Sequence, residues 1–447
     1  MSRKTRSLPA LTVALLAALA TLATLFTACQ SPQTTTAATA TPPAATTTTS
    51  ATAAPTTKPH PVILISIDGM RHDYLDLYKP PALTALARRG SRARRLVSSY
   101  PSLTFPNHYT IVTGLRPGHH GIIANSMYDP EWKANFGIGA HPAAREARWW
   151  GGEPVWNTAE RQGLIAACNF WPGSEAPINN RRPAIWLPFK DGLPLPPRVV
   201  QVLSWLDLPD EKRPSLITFY FSDVDHAGHT HGPVSPQVRD ELMKVDAAIG
   251  QLVDGLRARN LLDSVNIVVV SDHGMTATSS ERLVIIEDCL PGGTLEGIAQ
   301  LDTAGTHAAL RPLGDTTPAQ LRDYFRGKNP HMTAYLKEEL PARFHYTGNR
   351  RIPPVILVPE TGWLITTRAR TGPNARPTPL GSHGFDPNVP DMGATFIAAG
   401  PSFKKAHVFA RADNTDIYNM LCALLKIHPA PNDGGNALAR KVLLRKQ

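Results

Sequence analysis

The chain has 447 residues, room for one large domain or two ordinary ones, and its hydrophobic fraction of 42% is ordinary for a globular protein. The net charge of +10 is mild for this length, and no Lys/Arg block with interleaved aromatics occurs. That balance suits an anionic substrate without requiring nucleic acid.

The first residues read as an export signal. "SRKTRS" is basic, "LPALTVALLAALATLATLF" is uncharged and apolar, and "TAC" brings small residues before Cys29. A single spanning helix is the alternative, since the run is nearly long enough. Residues 1–29 are therefore expected to be a signal peptide. With Arg3, Lys4 and Arg6 removed, the charge falls to about +7. Residues 30–59 are almost only Thr, Ala, Pro and Ser, too poor in apolar surface to repay ordering, and are expected to form a disordered linker. The remaining cysteines, Cys168, Cys289 and Cys422, are odd in number and match no zinc motif, leaving buried thiols or one disulfide.

The domain proper is expected over residues 60–440. "PVILISIDGM" (61–70) reads as a buried strand carrying Asp68 at its C-terminal end. Residues 81–89 have a helical pattern, and the basic cluster "ARRGSRARR" (87–95) is read as a solvated helix end. The prolines of "PSLTFPNH" (101–108) shape a turn before a helix, "NHYTIVTGL". "SLITFYFSDVDHAGH" places Asp223 and Asp225 at the end of a second strand, a helix follows over 238–259, and "NIVVVSDHGM" ends a third strand in Asp272 and His273. "ATFIAAGP" is a fourth buried strand. Strands alternating with helices imply an α/β fold, with a largely parallel sheet covered on both faces. In such sheets ligands bind beyond the carboxyl ends of the strands. Residues 275–380, rich in turns and charges, read as an insert or lid.

Acidic and imidazole side chains collect at those strand ends: Asp68, Asp225 with His229 four residues on, Asp272 beside His273, and His383 in "GSHGFD". Carboxylate oxygens with imidazoles suit zinc. An i, i+4 pair converges on one ion if its segment makes a helical turn. Six ligands exceed one tetrahedral zinc and fit two ions, the arrangement that clamps the attacking and leaving oxygens of a phosphoryl displacement. Asp223, His226 and His231 are surplus to that set. Singly, each of these residues is an ordinary turn or loop residue; together, at separate strand ends, they point to a metal centre.

These stretches resemble the nucleotide pyrophosphatase/phosphodiesterase family of the alkaline phosphatase superfamily. The resemblance rests on "VILISIDGMRHDYL", "PSLTFPNHYTIVTGLRPGHHGIIANSMYDP", "NFWPGSE", "YFSDVDHAGHTHGP", "VVVSDHGM", "GSHGFDP" and "DIYNMLCALLKIHPAPNDG", spread from about residue 62 to 434. It implies a three-layer α/β/α fold of alkaline phosphatase type and two zinc ions. One ion would take Asp225, His229 and His383; the other would take Asp68, Thr104, Asp272 and His273. Thr104 becomes the nucleophile, activated without a histidine base, and forms a threonyl-phosphate diester that water then releases. Asn125 would hold a phosphoryl oxygen. Phe105 and Phe189, the latter where the family often has tyrosine, would stack the base, and Tyr220 would line the pocket. The resemblance to bacterial lipoproteins makes Cys29 a candidate lipid tether, with cleavage near Ala28 as the alternative.

The expected activity is hydrolysis of nucleotide diesters and pyrophosphates to nucleoside 5′-monophosphates by an exported enzyme, periplasmic or anchored facing the periplasm. Its partner is a small phosphodiester, with no stable nucleic-acid complex. A phospholipid or choline-phosphodiester hydrolase on the same fold is the alternative. A phosphomonoesterase would call for a bidentate arginine, which the sequence does not place beside Thr104. A non-catalytic surface module would have lost ligands or nucleophile, and every position is filled.

Overall fold

The computed structural model describes residues 58–138, 141–372 and 375–444. The expected signal peptide, Cys29 and nearly all of the linker lie outside the described residues.

Eight strands form the central sheet: β1 (Val62–Ile67), β2 (Ser91–Val97), β3 (Ala166–Asn169), β4 (Ile185–Leu187), β5 (Leu216–Phe221), β6 (Asn266–Val270), β7 (Ala394–Ala399) and β8 (His407–Asp413). Their order across the sheet is β8-β2-β7-β6-β1-β5-β3-β4. Only the two pairings of β7 are antiparallel, so the sheet is mostly parallel.

Alternate residues of the central strands serve different layers. Val62, Leu64, Leu216, Val268 and Val270 face one core with the helices Thr104–Thr113, Val155–Arg161 and Asp416–Leu425. Ile63, Ile65, Ile67, Phe219, Phe221 and Val269 face the other with Pro81–Arg89, Leu195–Leu206 and Pro236–Ala258. Burial on both faces explains why these strands read as unbroken apolar runs.

β1 lies between β5 and β6 with Ser66 opposite both Tyr220 and Val270. Asp68, Asp223–Asp225 and Asp272 therefore leave the sheet at the same edge. β7 begins at that edge because it runs the other way, which delivers the preceding loop, with His383, to the same place.

The basic cluster 87–95 is not a solvated helix end. The helix stops at Arg89, and Ser91–Val97 is a sheet strand. Ala93, Leu96 and Val97 are buried there, while Arg92 pairs with Asp76 and Arg95 donates to the carbonyls of Pro387 and Val389. Gly90 permits the switch, since a Cβ there would sit 2.0 Å from the Ala398 carbonyl oxygen.

Between Val284 and Ile365 a third core forms under a four-stranded antiparallel sheet of Ala299–Thr303, Ala308–Pro312, Met332–Leu336 and Val355–Pro359. Cys168, Cys289 and Cys422 are buried free thiols. No helix among the described residues is long and apolar enough to cross a membrane.

Candidate active site

At the end of β1 the chain turns at Gly69, whose φ of +67° suits glycine. A Cβ there would stand 3.0 Å from the Asp225 Cα, so the turn also lets Asp225 close on Asp68. Asp225 and His229 sit one turn apart on the helix Asp223–His231, with His229 Nε2 3.4 Å from Asp225 Oδ2. His383 Nε2 lies 3.5 Å from Asp225 Oδ1 and 3.2 Å from His229 Nε2. These three residues form one cluster.

The second cluster forms around His273. Its Nε2 is 2.8 Å from Asp272 Oδ2, 3.3 Å from Asp68 Oδ1 and 3.2 Å from Thr104 Oγ1. The His273 and His383 rings stack with centroids 3.4 Å apart, so the two clusters adjoin. All seven residues expected to hold metal thus converge.

The hydrogen bonds of the three imidazoles fix which nitrogen faces inward. His229 Nδ1 donates to the Gly381 carbonyl at 2.8 Å, His273 Nδ1 to that of Gly274 at 2.9 Å, and His383 Nδ1 to that of Ser102 at 2.9 Å. A carbonyl only accepts, so each Nε2 is left as the atom turned to the cluster. Asp68 Oδ1, Asp225 Oδ1 and Asp272 Oδ2 are buried without a hydrogen-bond donor. Bare nitrogens facing carboxylate oxygens demand a cation or protons between them. The donor set, imidazole nitrogen with carboxylate oxygen, fits zinc.

The protein's own electrostatics report the same crowding. Burial, with Asp272 and Asp225 nearby, pushes Asp68 well above the usual carboxylate range, against the Tyr220 hydroxyl. Burial lowers His383 well below the usual imidazole range, helped by His273 and His229. Burial opposes ionisation of Asp272 too, but His273 and His108 outweigh it and hold its carboxyl low. Bound divalent cations would hold all three carboxylates ionised.

His108 also lies within ligand range of Asp68 and Asp272. Its nitrogens are already engaged: Nδ1 donates to the Thr104 carbonyl at 2.9 Å, and Nε2 accepts from Ser66 Oγ at 2.8 Å. It therefore stands behind the site rather than in it.

Thr104 is the first residue of its helix, not its N-cap, which is Leu103. Its hydroxyl lies against His273 Nε2, and 9% of its surface is exposed. Asn125 Oδ1 accepts from the Phe105 N–H at 2.9 Å, and among the described residues no acceptor is seen for the Asn125 Nδ2 hydrogens or the Thr104 N–H. Ser102 supports the site from behind: its carbonyl orients His383, and its hydroxyl donates to the Phe385 carbonyl at 2.9 Å.

A cavity of about 240 Å³ opens beside Thr104. Phe105, Phe170, Trp171, Phe189 and Tyr220 give it aromatic walls, and Arg145, Glu175 and Asp191 give it charge. Phe105 packs against Phe136 and Trp150, with centroids 6.1 and 6.0 Å away. Phe189 is 37% exposed and belongs to the cavity rather than the core. Tyr220 lines the same wall, but its hydroxyl donates to Asp68 Oδ2 at 2.7 Å. Of the surplus residues, His226 reaches the cavity, while His231 is exposed. Glu175 is a residue that sequence reasoning misses: one oxygen accepts from Arg145 Nε and the other from the Phe189 N–H, both at 2.8 Å. Its only signal was its place in "NFWPGSE".

Residues 62–386 match the family model for type I phosphodiesterase / nucleotide pyrophosphatase. A venom phosphodiesterase of Naja atra is 39% identical over 389 residues, covering 84% of this chain and 45% of that protein. Ectonucleotide pyrophosphatase/phosphodiesterase family member 3 of Mus musculus is likewise 39% identical over 389 residues, covering 84% and 43%. An uncharacterized pyrophosphatase/phosphodiesterase of Schizosaccharomyces pombe is 38% identical, covering 83% and 78%. The chain thus spans less than half the length of the first two relatives. Murine ectonucleotide pyrophosphatase/phosphodiesterase 5, solved as an inactive threonine-to-alanine form in complex with AMP, superposes with a TM-score of 0.80 at 30% identity, covering 86% of this chain and 100% of that one. The human counterpart gives 0.80 at 31%, covering 86% and 99%. The chain belongs to the type I phosphodiesterase / nucleotide pyrophosphatase family, a family of hydrolases.

Proposed function

We propose that the protein is a two-zinc phosphodiesterase that cleaves nucleotide diesters and pyrophosphates to nucleoside 5′-monophosphates, with Thr104 as nucleophile. The observation that carries this reading is the position of Thr104 Oγ1, 3.2 Å from His273 Nε2 and open to the cavity. Asp225, His229 and His383 would hold one ion, and Asp68, Asp272, His273 and Thr104 the other. When bound, the ions supply Lewis acidity that lowers the pKa of the threonine hydroxyl and of water.

The remaining work falls to the chain. Thr104 gives up its hydroxyl proton to solvent, and its Oγ forms a bond to phosphorus as the bond to the leaving oxygen breaks; the leaving oxygen departs as an anion or takes a proton from solvent, and a threonyl-phosphate diester remains. Water then displaces Thr104, which regains its proton, and the nucleoside monophosphate departs. The Asn125 Nδ2 and Thr104 N–H are suited to hold the phosphoryl oxygens as charge grows on them. Phe105 and Phe189 offer faces for a base, a mode tolerant of base identity. The structural relative solved with AMP supports a nucleotide, and its inactive threonine-to-alanine form supports a threonine nucleophile.

A choline-phosphodiester hydrolase is the second reading, favoured by the Asp191 carboxylate beside the aromatic side chains of the cavity. A monoesterase is disfavoured: Arg145 lines the cavity, but its guanidinium is paired with Glu175. The basic-then-apolar start supports export, with Cys29 as the tether. Hydrolysis of the nitrophenyl ester of thymidine monophosphate, of nitrophenyl phosphate and of nitrophenyl phosphorylcholine separates these readings. Preference for the thymidine ester is expected. Preference for the plain monoester would overturn the diesterase, and preference for the choline ester would overturn the nucleotide specificity.

A further inference from the structure

The two metal-ligand clusters differ in how they are supported. In the cluster next to Thr104, Asp68, Asp272 and His273 are at most 2% exposed. Tyr220 donates its hydroxyl to Asp68 Oδ2 at 2.7 Å, which leaves Oδ1 as the oxygen turned to His273. Asp272 Oδ1 accepts from the Gly69 N–H at 3.3 Å, while Oδ2 lies 3.3 Å from His108 Nδ1, whose hydrogen goes to the Thr104 carbonyl, so His108 backs this carboxylate by contact and not by a hydrogen bond. His108 is held in turn by Ser66 Oγ, and its carbonyl accepts from Trp171 Nε1 at 3.0 Å. The His108 and Tyr220 rings meet edge-on with centroids 5.1 Å apart, so the two supports brace each other.

In the other cluster the imidazoles of His229 and His383 are anchored on the Gly381 and Ser102 carbonyls, as His273 is on Gly274, but the carboxylate lacks comparable support. Among the described residues no donor is seen on the Asp225 carboxylate; its oxygens lie 3.4 Å from His229 and 3.5 Å from His383, and within 4.8 Å of His273. The His229 side chain is 34% exposed. Fixed ligands cost less to order around an ion and are harder for water to displace. Partners behind a ligand, when removed, typically lower metal affinity by about 10- to 100-fold.

We propose that the two metal positions are unequal. The Asp68–Asp272–His273 position is the tight one, with Tyr220 and His108 as its positioning residues, and the Asp225–His229–His383 position is the exchangeable one. This rests on the two-zinc reading above. Tyr220 is thereby assigned to the metal through its hydroxyl, in addition to lining the pocket with its ring.

The test is zinc titration of the chelator-stripped full chain against a chromophoric competitor, with cobalt as spectroscopic probe. The wild type should bind two ions with dissociation constants at least about 10-fold apart, and His229→Ala should lose only the weaker. Tyr220→Phe, which removes one oxygen, should weaken the tighter site by about 10- to 100-fold, shift its cobalt spectrum and leave the weaker site unchanged. His108→Gln should weaken the same site. Melting of the stripped variants identifies any that fail to fold. Two equal wild-type sites, or a Tyr220→Phe variant with both constants unchanged, would overturn the proposal. A wild type that binds fewer than two ions would overturn the two-zinc reading itself.

Discussion

His229 and His383 face each other through their Nε2 atoms at 3.2 Å, each having given its Nδ1 hydrogen to a backbone carbonyl. Two such lone pairs repel, and the Asp225 carboxylate beside them adds negative charge. Stripping metal should therefore abolish activity, and zinc should restore it. His383→Ala should bind one ion fewer, because it removes a nitrogen that no neighbour replaces. Metal content by elemental analysis and activity after chelation measure this.

Phe189 contributes a half-exposed ring to the cavity, and Glu175 holds its backbone N–H. Base stacking on an aromatic side chain is worth about 1–3 kcal/mol. Phe189→Ala should raise KM for the thymidine ester by about 10-fold. It should change hydrolysis of bis(nitrophenyl) phosphate, which has no base, by much less. Steady-state kinetics on the two substrates checks the difference.

Away from the chemistry, Asp129 is fully buried between Arg351 and Arg350, at 2.8 and 3.0 Å. Burial raises its carboxyl, but the two guanidinium groups outweigh that and hold it down to about 2. A depressed carboxyl contributes its stability above the unfolded value near 3.9 and loses it as pH falls toward 2. Asp129→Asn should cost about 3 kcal/mol at neutral pH, because Arg351 is left buried and unpaired. The gap between the two proteins should narrow below pH 4. Denaturant melts at pH 7 and pH 3 measure both.

The central strands and the ligands at their ends were legible because strands buried on both faces are continuous apolar runs, each stopped by an acid. Short β3 and β4 carry no such run, and β2 was concealed because its exposed positions are arginines while its inward ones are small or few. The antiparallel course of β7 was not visible either, since no local pattern records which way a strand enters a sheet. Within the site, the carbonyls of Ser102, Gly274 and Gly381 orient three histidines, and a backbone atom leaves no mark in residue identity. The Tyr220 hydroxyl was readable as part of a pocket; that Asp68 takes it follows only from Ser66 and Tyr220 lying opposite each other in the sheet.

The proposed chemistry begins at Thr104, and its most direct measurement is zinc content together with turnover of Thr104→Ala. The variant should bind two zinc ions and melt like the parent while losing about 1,000-fold or more in kcat/KM on the thymidine ester. A Thr104→Ala protein that keeps its zinc and turns over within about 10-fold of the parent would contradict the threonine nucleophile.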